Sequence, residues 1–231
     1  MRKIANFNVR RRDWGWRRAL HWEVMSGLAW LGIRVHYVNI AADMHQIIGE
    51  EKPEVSPEYD TRMIGFDEIV SYVDRVPGLS RENLETAFGR GDICAANFYR
   101  GELVGFSFSS YTRARVTDQL DVLVPEGFRY GYKGWTHPDH RRANLQHMRS
   151  YVRRIANPAE RDKRSLEYIE THNYASLLHR YRHPISRKIR AGFAGWITIG
   201  GRQIPFSTRH ARWVGFEFVR KGNLRRRQYI L

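Results

Sequence analysis

A chain of 231 residues with 42% apolar and 13% aromatic content carries enough hydrophobic mass for one substantial core, which excludes disorder as its main state. Its net charge is +15, and the excess lies beyond residue 100: residues 1–100 carry 14 Lys/Arg against 14 Asp/Glu, residues 101–231 carry 25 against 10. A single cysteine, Cys94, excludes an internal disulfide and a cysteine-rich zinc site, and no apolar run approaches the roughly 20 residues that span a bilayer.

In chain order, Arg10, Arg11, Arg12, Trp14, Trp16, Arg17 and Arg18 lead into Leu20, Val24, Leu28 and Leu31 at helical spacing. Residues 1–32 are therefore expected as an amphipathic helical extension with a basic start. Such a helix either packs on its own domain or lies in a membrane interface, where Trp and Arg sit at headgroup level. Residues 33–40 are β-branched and aromatic, a first strand. Residues 50–60 hold two prolines and several acids without apolar period, a loop. Phe66, Ile69, Val70 and Val73 predict a helix, and Leu84 and Phe88 a second one before Gly89.

Residues 93–99 and 103–111 flank Arg100 and Gly101, and Val104, Phe106 and Phe108 alternate with Gly105, Ser107 and Ser109, the pattern of a hairpin with one packed face. Cys94 falls in the first of these strands and reads as a small buried hydrophobe. Residues 112–126 are a mostly polar connection, followed by the aromatic strand 128–135. Further on, 165–170 is strand-like, and 189–199 and 213–219 read as two last strands joined through Gly200, Gly201 and Pro205.

The most informative stretch is Trp-Thr-His-Pro-Asp-His-Arg-Arg-Ala-Asn-Leu-Gln over residues 135–146. It joins the aromatic strand to a helix expected over 142–155, whose apolar face is Leu145, Met148, Val152 and Ile155. The first backbone N–H groups of a helix have no intrahelical partner and, with the helix dipole, favour an anion. Arg141 and Arg142 add full positive charge there, at the end where cations disfavour the helix itself, so an anion such as a pyrophosphate is expected nearby.

Here the chain resembles the GNAT superfamily of acyl-CoA-dependent N-acyltransferases, whose donor segment follows a central strand as V-x-P-x-x-(Q/R)-x-x-G-x-(G/A). Pro138 and Arg141 match; Asn144 stands in place of the glycine and Gln146 in place of the last small residue. A second match is Asn173, which with Tyr174, Ala175 and Ser176 opens a helical run after residues 165–170, as the family's N-x-x-(A/S) helix follows its fifth strand. The resemblance implies an α/β (α+β) fold over residues 33–221: a mixed, mostly antiparallel twisted sheet with a parallel central strand pair and flanking helices, followed by a basic tail at 222–231. It implies acetyl-CoA or a longer acyl-CoA, or an acyl carrier protein, as donor and an amine as acceptor. The donor would be held at Thr136, His137, Arg141, Arg142, Ala143, Asn144, Leu145, Gln146 and Asn173. In the family a tyrosine seven residues beyond the asparagine protonates the departing thiolate; here that position is Arg180, and Tyr181 lies one further on.

An amine acyltransferase needs a base and donors for the oxyanion. Glu170 and His137 each end a strand beside one of these motifs, and either is the candidate base; the plainer roles are an ion pair with an arginine for Glu170 and a turn residue for His137. His140 and Asp139 suit the start of a helix. His179 and His183 lie four apart without a further placed ligand, so no metal site is expected. Competing readings are a non-catalytic nucleotide or polyanion binder and a peripheral protein on an anionic membrane. Nucleic acid ranks lower because no clustered aromatic platform stands out. A cytoplasmic protein, at most at the membrane surface, is the expected setting.

Overall fold

The computed structural model describes residues 2–41, 52–157, 163–174, 177, 188–213 and 217–221. The chain divides into two compact units: unit 1 comprises Met1–Ala41, Arg115–Leu123 and Glu167–Leu231, and unit 2 comprises Ala42–Ala114 and Val124–Leu166. Residues 1–32 thus belong to the same unit as the strand that follows them.

Unit 2 is built on the predicted hairpin. Strands β3 (Ile93–Tyr99) and β4 (Glu102–Ser110) pair antiparallel across Arg100 and Gly101, both with positive φ as a tight turn demands. Strand β2 (Tyr59–Ile64) adds to β3, and β7 (Phe128–Thr136) adds antiparallel to β4. The start of β8 (Arg164–Glu170) runs parallel to β7 over three residue pairs, Phe128–Arg164 to Tyr130–Leu166. The sheet is therefore mixed, with the expected parallel pair. Both faces of the hairpin are covered: Ala95, Asn97 and Ser109 are buried on one, and on the other Cys94, Ala96, Phe106 and Phe108 join Ile64, Ile69 and Leu84 in one cluster. Against it pack α3 (Phe66–Ile69), which runs on as the 3-10 turn Val70–Tyr72, and α4 (Arg81–Gly89), capped by the Ser80 hydroxyl.

Two expectations for this unit are corrected. Strand β2 begins inside the segment read as loop; its Asp60 and Arg62 hide the strand pattern because they lie on the exposed side, where Arg62 bonds to Asp60 and Glu68 and covers the ring of Phe98 at 4.4 Å. Helix α5 runs Leu145–Ala156, three residues later than expected, and its buried side is Leu145, Met148, Arg149 and Arg153, leaving Ile155 exposed.

Unit 1 takes the order β10-β9-β1-β8, where β1 is Ile33–Ala41, β9 is Lys188–Ile199, and β10 is Arg202–Ser207. β1 lies where a first strand is expected and pairs antiparallel with β9, Val35 opposite Gly195. Helices α1 (Arg2–Trp14) and α2 (Trp16–Trp30) replace the single expected helix, because Gly15 breaks it at φ 84. A ribbon of β6 (Leu120–Leu123) and β11 (Glu217–Arg220) packs on the sheet through Phe218, which meets Trp196 and Tyr168 edge-on. The polar connection thus contains a buried strand, with β5 (Arg113–Arg115) before it, and the last strand pairs with β6 instead of β9. β9 turns at Gly200 and Gly201 into β10, which tolerates Pro205 because it is the outermost strand. Helix α6 (Arg209–Trp213) takes up the start of the segment read as strand. The basic tail 222–231 lies outside the described residues.

Candidate functional site

The donor segment lies wholly in unit 2. At the end of β7 the ladder with β4 slips: Trp135 faces Phe106 and Tyr132 faces Phe108, which leaves two residues of β7 opposite Ser107. Lys133 takes the bulge with φ 48. β7 ends at Thr136, still paired with Gly105, and the His137 amide donates to the carbonyl of Val104 at 2.8 Å. His137 caps the 3-10 turn Pro138–His140, its ring accepting from the Asp139 amide at 3.4 Å, so its place is that of a turn residue. His140 is fixed by the Tyr59 hydroxyl at 2.9 Å and by the Tyr99 ring.

Arg142 and Asn144 both have positive φ, 73 and 53. These left-handed residues prevent a right-handed helix from starting at 142, which corrects the expectation that Arg141 and Arg142 occupy its first turn. They precede the helix and are exposed. Asn144 adopts the conformation that the family's glycine supplies, and it is the helix N-cap without a side-chain cap bond. The first intrahelical bond is Met148 N–H to the Asn144 carbonyl. The first turn, from Leu145 on, is the positive end of a 12-residue helix. Leu145 is buried and anchors the helix, while Gln146 is exposed.

One residue escaped the sequence reading. Arg149 is 2% exposed, and its guanidinium donates to the side-chain Oδ1 of Asn97 in a short bond and to the Thr136 hydroxyl at 3.3 Å. Asn97 in turn donates to Thr61 at 2.7 Å. Burial pulls Arg149 down to about 10, which still leaves it a cation at neutral pH. Among the described residues its hydrogen-bond partners are neutral oxygens, and it ties β3 to the last residue of β7. Gly105 makes room: a Cβ there would lie 2.5 Å from Arg149 Nη1. The signal was its spacing of four from Leu145 on the face the helix buries.

Glu170 and Asn173 lie in unit 1, where the Asn173 amide donates to the Glu170 carbonyl at 2.9 Å. The Glu170 carboxylate is held by Arg34 at 2.8 Å and faces His172 at 3.6 Å. It borders an open cleft of about 600 Å³ with Arg34, His36, Tyr168, Trp196 and Gln203. His36 is buried between Trp196, stacked at 5.1 Å, and Tyr168 at 4.8 Å, and burial lowers its pKa to about 4. Tyr174 is hydrogen-bonded to His21. Tyr181 lies outside the described residues, as do His179 and His183. Among the described residues no group of three or more His, Cys, Asp or Glu is placed to hold a metal ion.

No family model matches the sequence, and no curated protein matches it. Among solved structures the chain is similar to a Drosophila protein of 14% identity, covering 73% of this chain and 52% of that one, with a TM-score of 0.49. It is also similar to a GCN5-related N-acetyltransferase from Kribbella flavida, at 14% identity, 62% and 54% coverage and a TM-score of 0.41. A putative GNAT-family acetyltransferase from Novosphingobium aromaticivorans is similar at 12% identity, 70% and 61% coverage and a TM-score of 0.41. The chain spans about half to two thirds of the length of these structures. Acetyltransferases of the GNAT superfamily are thus among the structures it resembles, and at these identities the likeness extends to neither activity nor substrate.

Proposed function

We propose that the protein is an acyl-CoA-dependent N-acyltransferase whose unit 2 turn, residues 136–146, binds the pyrophosphate of the donor. The observation that carries this reading is the left-handed Asn144. It opens the positive end of a 12-residue helix while Arg141 and Arg142 stand exposed just before it. Charge-assisted bonds from those arginines and the helix amides suit a diphosphate. In the reaction the acceptor amine attacks the thioester carbonyl, the C–N bond forms, the C–S bond breaks and CoA leaves as the thiol. Glu170 is the first candidate to take the amine's proton and His137 the second; Tyr181 is the candidate donor to the departing thiolate. Arg34 occupies one oxygen of the Glu170 carboxylate, so the acceptor amine has to meet the carboxylate beside that ion pair.

Titration calorimetry with CoA, acetyl-CoA and a long-chain acyl-CoA tests the donor. Binding should weaken on changing Arg141 and Arg142 together to alanine, and the remaining affinity should depend less on salt. Absence of heat with every donor, in folded protein, rules the reading out. If donor binding holds, Glu170→Gln should lower kcat far more than donor affinity.

A further inference from the structure

The large apolar side chains left in water are unevenly shared. Among the described residues Ile155 alone belongs to unit 2, and the others lie on α1, α2, β9, β10 and the α2–β1 turn, all in unit 1. Along α2 and the residue after it, Trp16, Leu20, Val24 and Leu31 are spaced by four, four and seven residues, one stripe of a helix, and each is at least half exposed. Trp30, 86% exposed, stands beside the stripe at its far end. The helix has already used its other side: Ala19 is buried, His21 bonds to Tyr174, and Trp22 lies beneath Arg10 at 3.6 Å with His172 at its edge. The stripe is a second apolar face on a docked helix.

The sheet of the same unit also exposes apolar residues. In β10 the exposed residues are Arg202, Ile204 and Phe206, while Gln203 and Ser207 are half-buried, the reverse of the usual alternation. Ile204 stands opposite Ile197 in register, and Phe206 lies across Gly195. On β1, the neighbour of β9, the ring of Tyr37 meets the exposed Phe193 at 5.0 Å. Helix α2 packs on β1, the strand next to β9.

Two observations select the occupant. Residues 1–32 carry seven Lys/Arg and two Asp/Glu, net +5, and Arg11, Arg12, Arg17 and Arg18 are exposed around the start of the stripe. Pro205 in the outermost strand has no N–H to offer, which disfavours a second copy adding to the sheet edge. We infer that unit 1 docks on an anionic membrane surface. Helix α2 lies in the interface plane, its stripe enters the acyl boundary, Trp16 and Trp30 sit at headgroup level and the arginines meet lipid phosphates. At 15 residues α2 lies on the bilayer and does not cross it, and among the described residues no helix is long and apolar enough to do so. The inference is independent of acyl transfer.

Vesicle flotation with the full chain tests it, using phosphatidylcholine with and without phosphatidylglycerol. The protein should float with the anionic vesicles and lose binding as salt rises. Leu20→Ser with Val24→Ser should lower the partition coefficient by about tenfold, since both side chains are exposed and their loss acts on transfer to lipid. Independently, a polarity-sensitive dye attached to a Val24→Cys variant should shift to the blue on anionic vesicles; the native Cys94 is buried and does not compete for it. No flotation, flotation unchanged by those substitutions, or a dye emission that does not shift on anionic vesicles overturns the inference. So does a dimer in light scattering that Leu20→Ser with Val24→Ser converts to monomer, because the face is then an interface between two copies.

Discussion

The two units handle the same residue types in opposite ways. Unit 2 draws its large apolar side chains inward and takes cations with them, so that Phe108 is 1% exposed while Arg149 is buried among neutral oxygens. Unit 1 keeps a compact aromatic cluster around His36 and leaves Trp16, Trp30, Ile199 and Phe206 in water. A unit that buries what it has is specified from within, and its exposed chemistry concentrates at the one turn where β7 ends. A unit that displays apolar residues on a docked helix and on its sheet is shaped by what it meets.

The largest effect expected from this contrast compares one residue type in both places. Phe108→Ala should cost about 4 kcal/mol in urea unfolding, as for a buried phenylalanine, whereas Phe206→Ala should cost less than about 1 kcal/mol because its ring is already partly hydrated. Equal costs would erase the distinction between the units. Next, Asn97→Leu removes the main acceptor of the buried Arg149 guanidinium and should destabilise by about 3 kcal/mol in the same measurement. A neutral result would mean that Thr136 suffices to hold that cation.

The third expectation concerns pH and belongs to unit 1. His36 binds a proton near pH 6.5 when unfolded and near pH 4 when buried, so the unfolded chain binds the proton first as pH falls. The contribution is complete above pH 6.5 and is lost progressively towards pH 4, to a total of about 3 kcal/mol. Unfolding of the protein and of a His36→Phe variant, compared at pH 7 and pH 5, should show the steeper acid loss in the unsubstituted protein. The smallest effect falls on the donor turn. Asn144→Gly relieves a left-handed side chain and should raise stability by up to about 1 kcal/mol with donor affinity kept, while Asn144→Val should lower both.

What could be read from the sequence follows from whether a pattern is written locally. The hairpin around Arg100 and Gly101, the strand leading into Pro138, and β8 announce themselves by alternation and turn residues, and each is present within a residue or two. The lost elements break local rules for tertiary reasons. β2 carries its charges on an exposed side, β10 points its apolar residues outward and contains a proline, and α5 buries Arg149 and Arg153 where an apolar face was read. The strand pairing of β11 with β6 is set by contacts about a hundred residues apart, which no local period encodes. At the candidate site the left-handed tolerance of Asn144 was legible because it is a property of the residue; the Arg149 network was not, because it depends on which side of a helix faces a sheet.

The placement of β1 carries a consequence for how the chain assembles. Val35 pairs with Gly195, 160 residues later, while the strands of the central hairpin meet across a single turn. Closing so long a loop is entropically costly, and contacts of that range slow folding. During synthesis β1 leaves the ribosome with neither of its neighbouring strands yet made, whereas the hairpin of unit 2 is complete once Ser110 has emerged. Unit 2 is therefore expected to gain its protected amides first, and unit 1 to remain an open chain end, its basic helices already formed, until β9 arrives. Pulsed hydrogen exchange during refolding should register protection at Phe106 before Val38.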